Sequence, residues 1–167
     1  GFNTNSKFNF YNFACLICDL AMVSKYYGFE VDPPALNDKL KSLGAGKGFV
    51  AGTGDYVYGA ITKVFSAIKE KLTVTPNLLT DAQIGEIRSA LDKKQLVIFQ
   101  IDVNPKDVDL DSHFVTVIGY NQNDENDFTI ADPIGGVERS LKHYLGFLVP
   151  NVRKTVAKYL IYDGQVP

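Results

Sequence analysis

The spacing of apolar residues changes once along this chain, near residue 95, and that change constrains the fold more than any other feature. Before it, apolar residues recur at three- and four-residue steps, the helical period. Leu16, Ile17, Leu20, Val23 and Tyr27 follow this rule in "NFACLICDLAMVSKYYG" (12–28), which predicts a helix closed by Gly28 as its C′ residue. "DPPALNDKLKSLG" (32–44) places prolines at the first helical positions and glycine at the end, predicting a second, short helix. "GAGKGFVAGTG" (44–54) carries five glycines in eleven residues and reads as a loop. From Tyr56 to Lys71, Val57, Ile61, Val64, Phe65 and Ile68 fit one helical face, and "TDAQIGEIRSALDKK" (80–94) predicts a fourth helix with a Thr or Asp cap.

Beyond residue 95 the runs are short, β-branched and aromatic: "LVIFQIDV" (96–103), "HFVTVIGY" (113–120), "DFTIAD" (127–132) and "KYLIYD" (158–163). "NQNDEN" (121–126) has the composition of a hairpin turn. Helices followed by strands predict an α+β domain, a helical N-terminal half packed on an antiparallel sheet. We read residues 1–167 as one such domain, since no repeat or linker divides them.

Within this frame the two cysteines are the residues to explain. Cys15 and Cys18 form a C-x-x-C, for which three readings are open. A redox pair would follow a strand in a βαβ unit, and none is predicted upstream. A zinc site needs four ligands, and His113 and His143 lack ligand-like spacing. Two structural thiols would fit the usual burial of cysteine. A fourth possibility is nucleophilic. Cys15 is placed at the start of the predicted helix, where the macrodipole favours its thiolate. A base and a group orienting that base are then required. His113 begins one predicted strand and Asp132 ends the next, so pairing across "NQNDEN" brings them to one sheet edge. His143 has no such context and reads as a surface residue.

These segments together resemble a known family. "CLICDLAMVSKYYG" is similar to the nucleophile helix of papain-like cysteine peptidases related to the bacteriocin-processing, double-glycine-leader peptidases. "SHFVTVIGY" resembles their histidine strand and "FTIADPIGG" the strand whose Asp-Pro carries the third catalytic residue. "LNDKLKSLGAGKGF" is similar to the second helix and glycine loop of phage and bacterial members. The resemblance runs from about residue 12 to 146, in the order Cys, His, Asp. It implies a papain-like fold and a peptidase or amidohydrolase with Cys15 as nucleophile, His113 as base and Asp132 as the orienting carboxylate. The substrate implied is a peptide or a cell-wall (murein) stem peptide. The family's oxyanion glutamine precedes the cysteine, whereas no glutamine precedes Cys15 here. Two alternatives are open: Asn9 or Asn12 is the side-chain amide that serves instead, or the glutamine lies in sequence before Gly1. The alternative is a catalytically weak or inactive papain-like peptide-binding module.

Composition closes other doors. The net charge of −2 gives phosphate no basic stripe, so no nucleic-acid role is expected. No apolar run approaches the roughly 20 residues that span a bilayer, so no membrane insertion is expected. "DVDLD" (107–111) lacks the glycine and closing glutamate of a calcium loop, and "GAGKG" lacks the pattern of a phosphate loop, so neither metal nor cofactor is expected. The chain starts at Gly1 and its one methionine is Met22, from which we expect a domain of a longer protein with flanking domains. Nothing in the composition assigns a compartment; a virion-associated, cell-surface or secreted setting would suit the resemblance.

Overall fold

The computed structural model describes residues 9–75, 78–103, 112–145 and 151–165, with side chains in the first helix from Ala14 onward. The elements run α1 (Asn9–Tyr26), α2 (Pro33–Ser42), α3 (Ala60–Val64), β1 (Lys69–Val74), α4 (Asp81–Asp92), β2 (Leu96–Asp102), β3 (Ser112–Asn121), β4 (Asp124–Asp132), β5 (Val137–Ser140), a 3-10 turn (Leu141–His143), α5 (Val152–Thr155) and β6 (Val156–Asp163). The strands form one sheet in the order β1-β6-β2-β3-β4-β5. The pairs β2–β3, β3–β4 and β4–β5 are antiparallel. The fold is therefore α+β, mixing helices with an antiparallel sheet. No helix among the described residues is long and apolar enough to cross a membrane.

Packing groups the chain into two compact units, Gly1–Lys71 with Tyr162–Pro167, and Leu72–Ile161. In the first unit, α1 buries Leu16, Ile17, Leu20 and Val23, the stripe its spacing predicts, and Tyr27 just beyond its end is buried too. The helix closes as a Schellman motif around Gly28, whose φ of 88° suits glycine. Phe29 N–H donates to the Ser24 carbonyl at 2.9 Å and Gly28 N–H to that of Lys25 at 3.0 Å. The second helix starts where the prolines sit, with the Asp32 carboxylate accepting from Ala35 N–H at 2.7 Å.

The helix expected over 56–71 is corrected. Only Ala60–Val64 is helical, and Lys69–Val74 is strand β1. Gly59, at φ 86°, starts the short helix. Farther on, β1 lies beside β6, and Thr75 N–H donates to the Ala157 carbonyl at 3.0 Å. The apolar steps of this stretch fit a helix locally, but pairing with a strand some eighty residues away satisfies the backbone instead.

In the second unit, α4 has a capping box, Thr80 Oγ1 accepting from Gln83 N–H and Gln83 Oε1 from Thr80 N–H. Its buried face of Ile84, Ile87, Ala90 and Leu91 shares a core with Val97, Phe99, Ile101, Val115, Val117, Phe128 and Ile130 of the sheet. Gln122 and Asn123 make the turn between β3 and β4, with Asn123 N–H donating to Asn121 Oδ1 at 3.0 Å. This hairpin positions the site.

Candidate functional site

Side chains alternate between the two faces of a strand. On β3, His113 therefore shares a face with Val115 and Val117. On β4, Asp132 shares one with Phe128 and Ile130. Those four apolar residues belong to a single core, so the imidazole and the carboxylate emerge from the same face, at its edge. His113 Nε2 lies 3.0 Å from Asp132 Oδ1, and both residues are buried.

The carboxylate is heavily engaged. Oδ1 also accepts from Ile134 N–H at 2.9 Å, the first turn residue after Pro133 with a backbone donor to offer. Oδ2 accepts from the Tyr144 hydroxyl and lies 3.4 Å from Arg139 Nε. Burial alone would push this carboxyl up; the hydrogen bonds from Tyr144, His113 and Ile134 outweigh it and hold Asp132 below the usual carboxylate range. An ionised Asp132 can only accept, so Nε2 is the protonated ring nitrogen. Nδ1 then carries the lone pair of the neutral imidazole, the tautomer a general base needs.

Cys15 and Cys18 are thiols outside any disulfide, both partly exposed. Burial, then the neighbouring Asp19 carboxylate, push the Cys18 thiol up, away from reactivity. The placement of Cys15 corrects one expectation. The first helix begins at Asn9, so Cys15 lies in its second turn, beyond the reach of the N-terminal end of the macrodipole. Activation of that sulfur therefore needs a base. Asn12 lies one turn before Cys15 and Asn9 opens the helix; their side chains fall outside the described residues, as do Asp107, Asp109 and Asp111.

His143 is exposed, its ring edge-on to Tyr144 at 4.9 Å. Tyr56 is buried in the first unit, its hydroxyl donating to Glu70 at 3.0 Å, so it is a core residue with a polar tip. Tyr144 and Arg139 were not singled out from sequence. No motif surrounds them, and only the fold of β5 and the 3-10 turn returns them to Asp132. Among the described residues, no cluster of three or more His, Cys, Asp or Glu could hold a metal ion.

Comparison with known proteins bears on the fold and the family. A crystal structure of a candidate C39-like peptidase from Bacillus anthracis superposes with a TM-score of 0.55 at 15% identity, covering 92% of this chain and 90% of that one. At that identity the likeness establishes the fold, which is papain-like. No curated protein matches the sequence. The Peptidase_C39-like family profile matches residues 4–164. With a profile match over nearly its whole length and the corresponding fold, the chain belongs to the Peptidase_C39-like family of papain-like cysteine peptidases.

Proposed function

We propose that this protein is a cysteine peptidase or amidohydrolase that cleaves a peptide or murein-peptide amide bond through Cys15, His113 and Asp132. The observation that carries the reading is the buried His113–Asp132 hydrogen bond, with Nε2 committed to an ionised carboxylate. Such a pair serves a nucleophile in acyl transfer, and Cys15, a partly exposed thiol, is the nucleophile proposed for it. In the proposed reaction His113 Nδ1 takes the Cys15 proton, and the sulfur attacks the carbonyl carbon. The C–N bond then breaks as the imidazolium protonates the leaving amine. Water, deprotonated by the same nitrogen, attacks the thioester and releases the acid, returning the proton to the cysteine. Asn9 or Asn12 is proposed as the amide that steadies the oxyanion, a contribution on the order of 10²–10³ in rate where such donors are removed.

The test is direct. Cys15→Ala should abolish turnover of a peptide library and of murein fragments, while Cys18→Ala leaves it largely unchanged. Thiol alkylation near pH 6 should label Cys15 far faster than Cys18, and His113→Ala should remove that advantage. Equal, slow labelling of both thiols in the wild-type protein would refute the assignment. A second reading is a papain-like module that binds peptide without cutting it. Peptide binding retained by Cys15→Ala, with no turnover by wild type, would favour that reading.

A further inference from the structure

A carboxylate offers about four lone-pair sites, and among the described residues Asp132 has three hydrogen-bond partners and one ion pair. His113 and Ile134 bond Oδ1, the Tyr144 hydroxyl bonds Oδ2, and Arg139 pairs with Oδ2 as a cation. The donors differ in what they do to an imidazole. Arg139 is a cation, and its charge opposes a second positive charge forming on His113. Tyr144 is a neutral donor that holds Oδ2 without that penalty.

Tyr144 is also rigidly placed. It caps the 3-10 turn, its N–H donating to the Leu141 carbonyl at 2.9 Å, and Leu141 is fully buried. At the start of the turn, Ser140 Oγ accepts from Lys142 N–H and donates to Asp127 Oδ1 at 2.7 Å. The Tyr144 ring packs against the second unit's core and stands 5.2 Å from the His113 ring.

We propose that Tyr144 is a positioning residue for the His113–Asp132 pair: its hydroxyl fixes the rotation of the Asp132 carboxylate so that Oδ1 stays on His113 Nε2, and its ring covers that hydrogen bond against water. This role rests on the peptidase reading above. Without the hydroxyl, Arg139 is the remaining side-chain partner of Oδ2 among the described residues. The carboxylate is then free to turn toward the guanidinium and away from the imidazole. The neutral donor is the element that decides which cation Asp132 serves.

Tyr144→Phe removes the hydroxyl and keeps the ring; Tyr144→Ala removes both. In Tyr144→Phe, kcat should fall about 10- to 100-fold, the usual effect of losing a hydrogen bond to a charged group, with KM nearly unchanged. The acid limb of kcat/KM should move to higher pH, because Asp132 loses a donor that stabilises its anion. The Asp132 carboxyl titration, followed by carbon-13 NMR, should move in the same direction. In Tyr144→Ala the His113 Nε2–H proton signal should also broaden through exchange with water, with His143 as the exposed control ring. A purely structural tyrosine would lower thermal stability and leave the acid limb and the Asp132 titration where they are; that result overturns the proposal. If wild type shows no thiol-dependent turnover, the peptidase reading fails by itself. The NMR titration then still decides whether Tyr144 holds Asp132.

Discussion

Asp132 in the second unit and Glu70 in the first accept similar sets of hydrogen bonds, yet their surroundings push them in opposite directions. Glu70 Oε1 accepts from Gly59 N–H, and Oε2 from the hydroxyls of Tyr56 at 3.0 Å and Tyr162 at 2.8 Å. Burial nevertheless raises its carboxyl above the ordinary range, and the bonds from Gly59, Tyr162 and Tyr56 offset this only in part. For Asp132 burial is again the largest influence, but Tyr144, His113 and Ile134 together reverse it. Every donor to Glu70 is neutral, and no ion pair reaches it among the described residues. Asp132 has Arg139 at hand, and His113 whenever the imidazole is protonated. A buried carboxylate becomes a dependable anion when the hydrogen bonds converging on it outweigh the cost of its burial; where burial costs more than its donors return, it is easier to protonate. The first arrangement suits the orienting of an imidazole. The second holds a loop to a strand.

Breaking the Asp132 side of this contrast has the largest expected effect. Asp132→Asn replaces an acceptor-only group by an amide and releases the His113 tautomer. Loss of an orienting aspartate in this way costs ~10⁴-fold in kcat in a known triad, and steady-state assay of a cleaved peptide would measure it. Turnover within a few-fold of wild type would show that the carboxylate does not orient the base.

On the Glu70 side, Tyr56→Phe removes a donor to Glu70 and the acceptor of Ile61 N–H, which lies 3.0 Å from the Tyr56 oxygen. A loss of about 2 kcal/mol in urea unfolding is expected for such buried partners. Tyr58 makes a useful spectroscopic companion: burial, then the charges of Glu70 and Asp55, push its phenol up to about 12. In Glu70→Gln it should titrate at lower pH, as seen by ultraviolet absorbance.

The two carboxylates also oppose each other in how pH acts on stability. Glu70 has a raised folded value, so its contribution is complete below the ordinary glutamate range and is lost as pH rises through that raised value. Asp132 has a lowered folded value, so its contribution is present above the ordinary aspartate range and is lost as pH falls through the lowered value. Glu70→Gln should therefore lose less stability than wild type between about pH 4 and about pH 7, the interval above the ordinary carboxyl range. Denaturant midpoints at the two ends would show it, and an unchanged difference would remove Glu70 from the account.

The smallest effects should be alike in the two units. Thr80→Ala removes the cap of α4 and Asp32→Ala that of α2, each expected to cost about 1 kcal/mol. Unequal losses would mean that the units differ in more than the surroundings of their carboxylates.

Much of the candidate site was legible because it is built from local rules. "HFVTVIGY" and "FTIADPIGG" announce two strands joined by a polar turn, and alternation along each strand assigns His113 and Asp132 to one face. The helix carrying Cys15 announces its end through Gly28, but apolar spacing does not mark its start. It begins at Asn9, which puts Cys15 in the second turn. The stretch 56–71 misled for another reason: helical spacing there is real, and a remote strand overrides it.

What the sequence by itself determined is whatever neighbouring residues decide between themselves: the capped starts of α2 and α4, the β3–β4 turn, and the parity that sends a histidine and an aspartate to one edge. Each follows from hydrogen bonds and side-chain periods closed within a few residues. Only the tertiary structure decided that Tyr144 and Arg139 share Asp132, that Lys69–Val74 is a strand, and that Tyr162 reaches Glu70 from 92 residues away. Those contacts arise when buried polar groups must find partners as solvent is excluded, and a donor far along the chain satisfies a buried carboxylate as well as one nearby.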